Sequence, residues 1–428
     1  MLLRSVSLSA VVAGTVLMGA CLPPDDPAPP TSPPTTPAPT TPVAPAGGSR
    51  LDPASLSYVG AFRVPTGRFG TSTFAFGGHG LAWRPGDPAD PFPGTLFAVG
   101  HEQEQQVAEF DIPAPVASHD PGRLPVASFV QPFTDVTGGL GPAATAGEMR
   151  VGDIEFLDGR LHWSVYRWYN VGAEQLAGHG WSNADFGDLD AHGTWTLGAY
   201  HNQLTGGYLL TAPQAWADAH TSGRRLIAGL TVRQGVASTS QGPALFAYSD
   251  AQAVASPPPG SALDTTALLY YPHADGQTST PDPIPAGGAT LTGHLIPESW
   301  RGATWVEAGG RQAVLVVGRR ASVERYGEPE PGDCEPDKGY HGDPYRPVFA
   351  LYDPDDLAAV AAGAKRPWEV QPYAEIDPSA DLIPSCGWDL SGAAFDAEHS
   401  LLYVIHQGAD VVSAEFEPYP VVYVYRVG

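Results

Sequence analysis

Gly80-Leu81-Ala82-Trp83, Gly152-Asp153-Ile154-Glu155-Phe156, Gly302-Ala303-Thr304-Trp305 and Gly392-Ala393-Ala394-Phe395 are four versions of one phrase. After each comes a turn and then an apolar run: Leu96–Val99, Leu161–Tyr166, Ala313–Val317 and Leu401–Ile405. A glycine, an aromatic, a turn and a hydrophobic strand make up the repeating grammar of a β-propeller blade. Gly242-Pro243-Ala244-Leu245-Phe246-Ala247-Tyr248 reads as a further member. At about 45 to 55 residues per blade, residues 50–428 predict an all-β, seven-bladed propeller. The strand around Ser57–Phe62 is expected to complete the sheet that ends in Val421–Tyr425 and so close the ring. Irregular spacing of the repeats leaves a β-sandwich or β-helix as the structural alternative.

Working outward from the repeat, Pro213–Ala219 and Pro354–Ala364 are the two segments with helical character. Proline suits the opening turn of a helix, where its missing N–H costs nothing. The first 21 residues form a different unit. Arg4 precedes the apolar run Leu8–Ala20, which ends at Cys21 after small residues, the pattern of a lipoprotein-type signal peptide. Residues 22–49 are rich in Pro, Thr and Ala and cannot bury a core, so they predict an extended tether. An exported protein, lipid-anchored at the cell surface or periplasmic face and otherwise free of the membrane, is the expectation.

The chain carries 46 acidic against 22 basic side chains, a net charge of −24. No basic stripe exists to neutralise phosphates, which argues against nucleic acid as a partner. Long-range repulsion of an anionic polymer is screened beyond about 10 Å, so a local arginine cluster can still hold one in a cleft. Arg224, Arg225, Arg233, Arg319 and Arg320 are candidates for that cluster. A monomer is expected.

With Cys21 assigned to the lipid, Cys334 and Cys386 remain. In an exported protein such a pair predicts a disulfide. His341 follows Cys334 closely, so a structural metal site, with Zn²⁺ or Ca²⁺ on Cys334, His341 and Cys386, is the other reading. No cofactor is expected for catalysis.

Four polar residues fall next to glycines or at the ends of apolar runs. They are His79, His101, Tyr208 and Arg224. Two imidazoles, a phenol and a guanidinium could together remove a proton from carbon beside a carboxylate. Arginine would stabilise the enolate-like charge, and histidine or tyrosine would supply the base. That chemistry points to β-elimination on a uronic-acid polymer. Arg225, Arg233, Arg319, Tyr166 and Tyr169 are candidate substrate-binding residues. The competing classes are a non-catalytic glycan-binding propeller, with Trp163, Tyr166, Trp168 and Tyr169 as stacking platforms, and a glycoside hydrolase. The latter needs a carboxylate pair such as Asp153 and Glu155.

Phe76-Gly77-Gly78, Leu96-Phe97-Ala98-Val99-Gly100-His101 and Thr205-Gly206-Gly207-Tyr208-Leu209 resemble motifs of propeller-type polysaccharide lyases, the ulvan lyases in particular. In that family a histidine pair and a tyrosine–arginine pair at comparable spacing form the active site. The resemblance implies that His79, His101, Tyr208 and Arg224 form the catalytic centre of a lyase acting on an ulvan-like polysaccharide.

Overall fold

The computed structural model describes residues 49–141, 149–168, 170, 175–230, 240–272, 288–414 and 416–428. The expected signal segment and all but the last residue of the tether lie outside them. Among the described residues the architecture is all-β, and the sheets form five blades. Blade I is His79–Arg84, Thr95–Val99, Val107–Asp111 and Phe129–Thr134, in that order from the inside. Blade II runs Met149–Leu157, Arg160–Arg167, His179–Asn183 and His192–Leu197. Blade III is Leu209–Thr211, Leu226–Gly229, Leu245–Tyr248 and Thr265–Leu269. Blade IV is Ser299–Ala308, Arg311–Arg320, Arg346–Tyr352 and Ala374–Ile376. Blade V joins Leu390–Asp396, Leu401–Asp410 and Tyr419–Val427 to the early strand Leu56–Arg63.

The innermost strands touch in the order I–II–III–IV–V–I, which closes the ring. Closure is made by Leu56–Arg63, which pairs antiparallel with Tyr419–Val427, Phe62 opposite Val422. The expected pairing of the first strand with the last sheet is therefore present. The expected seven blades are not. Dividing chain length by an ordinary blade length miscounts here because insertions enlarge the blades. One is a hairpin, Arg325–Gly327 with Gly339–His341, inserted between the second and third strands of blade IV. Gly242–Tyr248 is also reassigned. Its strand is third from the axis in blade III, and the innermost place belongs to Leu209–Thr211. A three-residue strand is too short to display the phrase.

The repeated glycines have a steric cause. Neighbouring inner strands converge on the axis, and a Cβ on Gly302 would lie 2.6 Å from Gly392. A Cβ on Gly152 would lie 2.0 Å from the carbonyl oxygen of Gly206 in the approach to blade III. Neither contact can relax, because each opposing atom is backbone. The Gly152→Ala protein is expected to lose about 3 kcal/mol of stability, the upper end of the usual cost of overpacking. Denaturant unfolding of the two proteins checks this, and an unchanged midpoint would contradict the packing at the axis.

Between the strands the axis is stitched by polar groups. Asp153, fully buried, accepts from the amides of Leu81 (3.0 Å), Ile154 (2.8 Å) and Leu209 (2.9 Å), and thereby ties blades I, II and III. Ser164 donates to the Gly207 carbonyl, and Ser391 to the Gly78 carbonyl. Hydrophobic layers fill the spaces between blades; one contains Tyr208, Phe246, Trp300 and Tyr352. Both expected helices are present, as Gln214–His220 and Pro354–Ala361. Asp353 caps the second by accepting from the Asp355 amide.

Candidate active site

The inner strands begin at one end of the axis, and there the structure opens into a cleft of about 970 Å³. Four of the five blades contribute to it from equivalent places. His79 directly precedes Gly80, Arg150 stands two residues before Gly152, Arg301 directly precedes Gly302, and Asp389 lies three residues before Gly392. These side chains sit where the strands begin to diverge, so they are held by the sheets yet face the opening. Loops add Glu102 and Gln105 from blade I, while Tyr166 stands on the second strand of blade II and Trp168 directly after it.

At the floor, Asp389 is 3.2 Å from Nη1 of Arg301 and 3.5 Å from Nη1 of Arg319. Arg301 also donates to Oε1 of Gln407 at 2.9 Å. Arg319 donates to the Gly387 carbonyl at 3.0 Å, pairs with Glu335, and lies 4.0 Å above the ring of Tyr345. Burial opposes charge on Asp389, but Arg319 and Arg301 outweigh it and hold the carboxyl below its usual range. Its side chain is still 38% exposed, open to a ligand. The residue before it, Trp388, has φ of +50°, a conformation disfavoured for a bulky side chain. Ser385 supports that turn, accepting from the Trp388 amide and bonding Nε2 of His406, and the Trp388 ring stacks on His406. Strain retained beside a charged cleft residue is characteristic of functional sites.

His79 is almost fully buried, and its Nε2 donates to the Val151 carbonyl at 2.9 Å. Burial, then the cations of Arg301 and Arg150, pulls its pKa down to about 3, so it is neutral at physiological pH. Arg150 rests 5.5 Å from the centre of the Trp168 ring. It alone among the described cleft cations has no carboxylate partner, since Arg301, Arg319 and Lys338 each have one. Glu298 is locked by both its oxygens to Arg320, and His294 contacts it as well. Glu102 and Asp337 line the cleft, exposed and without a cationic partner among the described residues.

The predicted quartet does not assemble. Only His79 lines the cleft. His101 lies just outside, its Nδ1 3.0 Å from Glu104 and its ring against Phe76. Tyr208 is buried between blades, where its hydroxyl donates to the Ala244 carbonyl and accepts from the Ala244 amide. Burial raises its pKa, which opposes the phenolate a base would require. Its ring fills the space over Gly229, where a Cβ would fall 1.9 Å from it. Arg224 donates to the Thr221 carbonyl and faces Asp264, and Arg225 is paired with Asp250 and Asp158. Neither lines the cleft. Of the expected substrate-binding residues Tyr166 and Arg319 do line it, while Tyr169 and Arg233 lie outside the described residues. The carboxylate pair named for hydrolysis is also displaced. Asp153 serves the axis, and neither it nor Glu155 lines the cleft.

Cys334 and Cys386 form a disulfide, with Cα atoms 5.4 Å apart. The reading of these cysteines as zinc ligands is therefore corrected, because no thiolate remains. His341 is buried beside them, Nε2 toward the Gly327 carbonyl and Nδ1 3.3 Å from Asp333. Asp333, His341 and Asp343 could converge on a cation, but the guanidinium of Arg325 already supplies positive charge at Asp333.

The sequence signal that could have found Arg301 is the one that found His79. Both directly precede a repeat glycine, whereas Arg150 and Asp389 stand two and three residues before theirs and do not align with them.

No family model matches the chain, and no curated protein does. Solved structures with a similar course include a luciferin-regenerating enzyme, with TM-score 0.34 and 10% identity over 88% of this chain and 94% of that one. A glycosyl hydrolase from Bacteroides ovatus matches with TM-score 0.38 and 11% identity, over 89% and 94%. A third is from the GH130 family of mannoside phosphorylases, described as containing glycoside hydrolases that target β-1,2-mannosidic linkages in Candida mannan. It has TM-score 0.40 and 10% identity, over 88% and 96%. None of these three is described as a polysaccharide lyase. At such scores the likenesses carry no functional argument, which rests on the cleft.

Proposed function

We propose that the chain is a carbohydrate-active enzyme that cleaves glycosidic bonds of an anionic polysaccharide in the axial cleft, by hydrolysis. The observation that carries this reading is Asp389, a carboxylate kept ionised by two arginines yet open to the cleft. Hydrolysis needs such a group as nucleophile or water-activating base, and a second carboxyl as acid. Glu102 and Asp337, free of cationic partners among the described residues, are the carboxyls suited to protonate the leaving oxygen. Arg150, with no carboxylate partner among the described residues, would bind a uronate or sulfate group of the sugar, and Trp168 would take a sugar face. A lipid anchor at Cys21 would present this cleft outside the cell to polymeric substrate.

Elimination is the second reading, favoured by His79, a neutral imidazole flanked by Arg301 and Arg150. Arginine would hold a uronate carboxylate, while the lowered pKa makes His79 a weak base, which ranks elimination second. Digestion of ulvan, alginate, polygalacturonate and hyaluronan separates the two. New reducing ends without near-ultraviolet absorbance are expected. Absorbance from an unsaturated uronate would replace hydrolysis by elimination, and no cleavage of any of the four would count against both.

A further inference from the structure

One wall of the cleft belongs to no blade. It is the hairpin Arg325–Gly327 and Gly339–His341 with its connecting loop, which brings Tyr326, Cys334, Glu335, Pro336, Asp337 and Tyr340 to the opening. In a two-stranded ribbon, side chains alternate between faces. Arg325 opposite His341 forms the inner pair, with His341 only 1% exposed and Arg325 bound to Asp333. Tyr326 opposite Tyr340 forms the outer pair.

That outer pair is unusual in being open. Tyr326 is 64% and Tyr340 36% exposed, with rings 5.0 Å apart in an edge-to-face arrangement. Exposed aromatics grouped at the rim of a polar cleft mark a binding groove. A sugar ring has an apolar C–H face and a polar rim, which matches a tyrosine that presents an apolar ring and a hydroxyl. The ribbon is also fixed in place. Cys334 is bonded to Cys386, three residues before Asp389, and Glu335 next to it is paired with Arg319, which contacts Asp389. The tyrosine pair therefore has a set position relative to the cleft floor, as a subsite requires.

We infer that Tyr326 and Tyr340 form a saccharide-stacking subsite, which holds sugar units of the polymer away from the bond being cleaved. This rests on the reading of the cleft as a carbohydrate site, and goes beyond it by assigning binding to residues outside the charged floor. The subsite acts on long substrates and is silent on short ones.

The test uses the full chain carrying Asp389→Asn, so that substrate survives, in affinity electrophoresis through gels containing ulvan, alginate, polygalacturonate or hyaluronan. Adding Tyr326→Ala and Tyr340→Ala together should weaken retention about ten-fold, as expected when two aromatic contacts are lost. Tyr326→Phe with Tyr340→Phe should retain wild-type binding, because the rings remain. Tyr326→Ala alone, at a site too exposed to unfold the chain, should give an intermediate loss. Unchanged retention of both alanine variants, in a gel that retards the parent, would overturn the subsite and leave the cleft reading standing. Failure of both this parent and the wild-type protein to be retarded in any gel would overturn both.

Discussion

Replacement of Asp389 by asparagine should lower turnover by about 10³- to 10⁴-fold, the scale of losing a catalytic acid–base or nucleophilic group. Asparagine keeps the size and can still accept from Arg301 and Arg319, so the floor should stay in shape. Binding of polymer should accordingly survive while cleavage is lost. The measurement is turnover of whichever polysaccharide the wild type digests, with affinity determined separately on the same preparation. A variant that turns over at wild-type rate would remove Asp389 from the mechanism and shift attention to His79. Loss of binding and turnover together would identify Asp389 as part of the frame.

The second large effect concerns Cys334 and Cys386. The disulfide closes a loop spanning 52 positions, and the chain-entropy model assigns such a closure about 4 kcal/mol. Changing both cysteines to serine should therefore lower the denaturant midpoint markedly. The loss should extend to activity, because the bond joins the inserted hairpin to the turn that carries Asp389. Equilibrium unfolding of the double serine variant checks the first expectation, and its turnover under conditions where it remains folded checks the second. An unchanged midpoint would mean that Arg319, Glu335 and their partners hold the insertion by themselves.

Much of the fold could be read from the chain because its strongest signal is steric. Gly152 and Gly302 of the four phrases are forced by the approach of backbones at the axis, and a constraint on backbone contact leaves its mark on sequence. Blade number left no such mark, because insertions between strands alter length without touching the axis. The site was only partly legible for a related reason. Tyr208 follows two glycines of which Gly206 serves close packing against Gly152, and that contact does not place Tyr208 at a rim. Its neighbours in space, Phe246 and Trp300, are distant in sequence and turn it into core. His79 was found because its place before Gly80 fixes it at the mouth of the ring. Arg301, in the same place before Gly302, could have been found alike. Asp389 depends on the turn built by Ser385, Trp388 and His406, which becomes evident only when the strands of blade V are assembled.

The pairing of Leu56–Arg63 with Tyr419–Val427 gives assembly an order. This early strand has as its partner one synthesised far later. Until then the edge that meets it is open to any strand that offers hydrogen bonds, while the early strand's other edge bridges Val116 and Val126. Blades I to IV can form locally as they appear, but the fifth waits for almost the entire chain, the slow kind of contact in folding. A chain cut short before residue 419 would carry a ring that cannot shut. It would lose more than one strand's worth of structure, since blades I and IV would each face an incomplete neighbour.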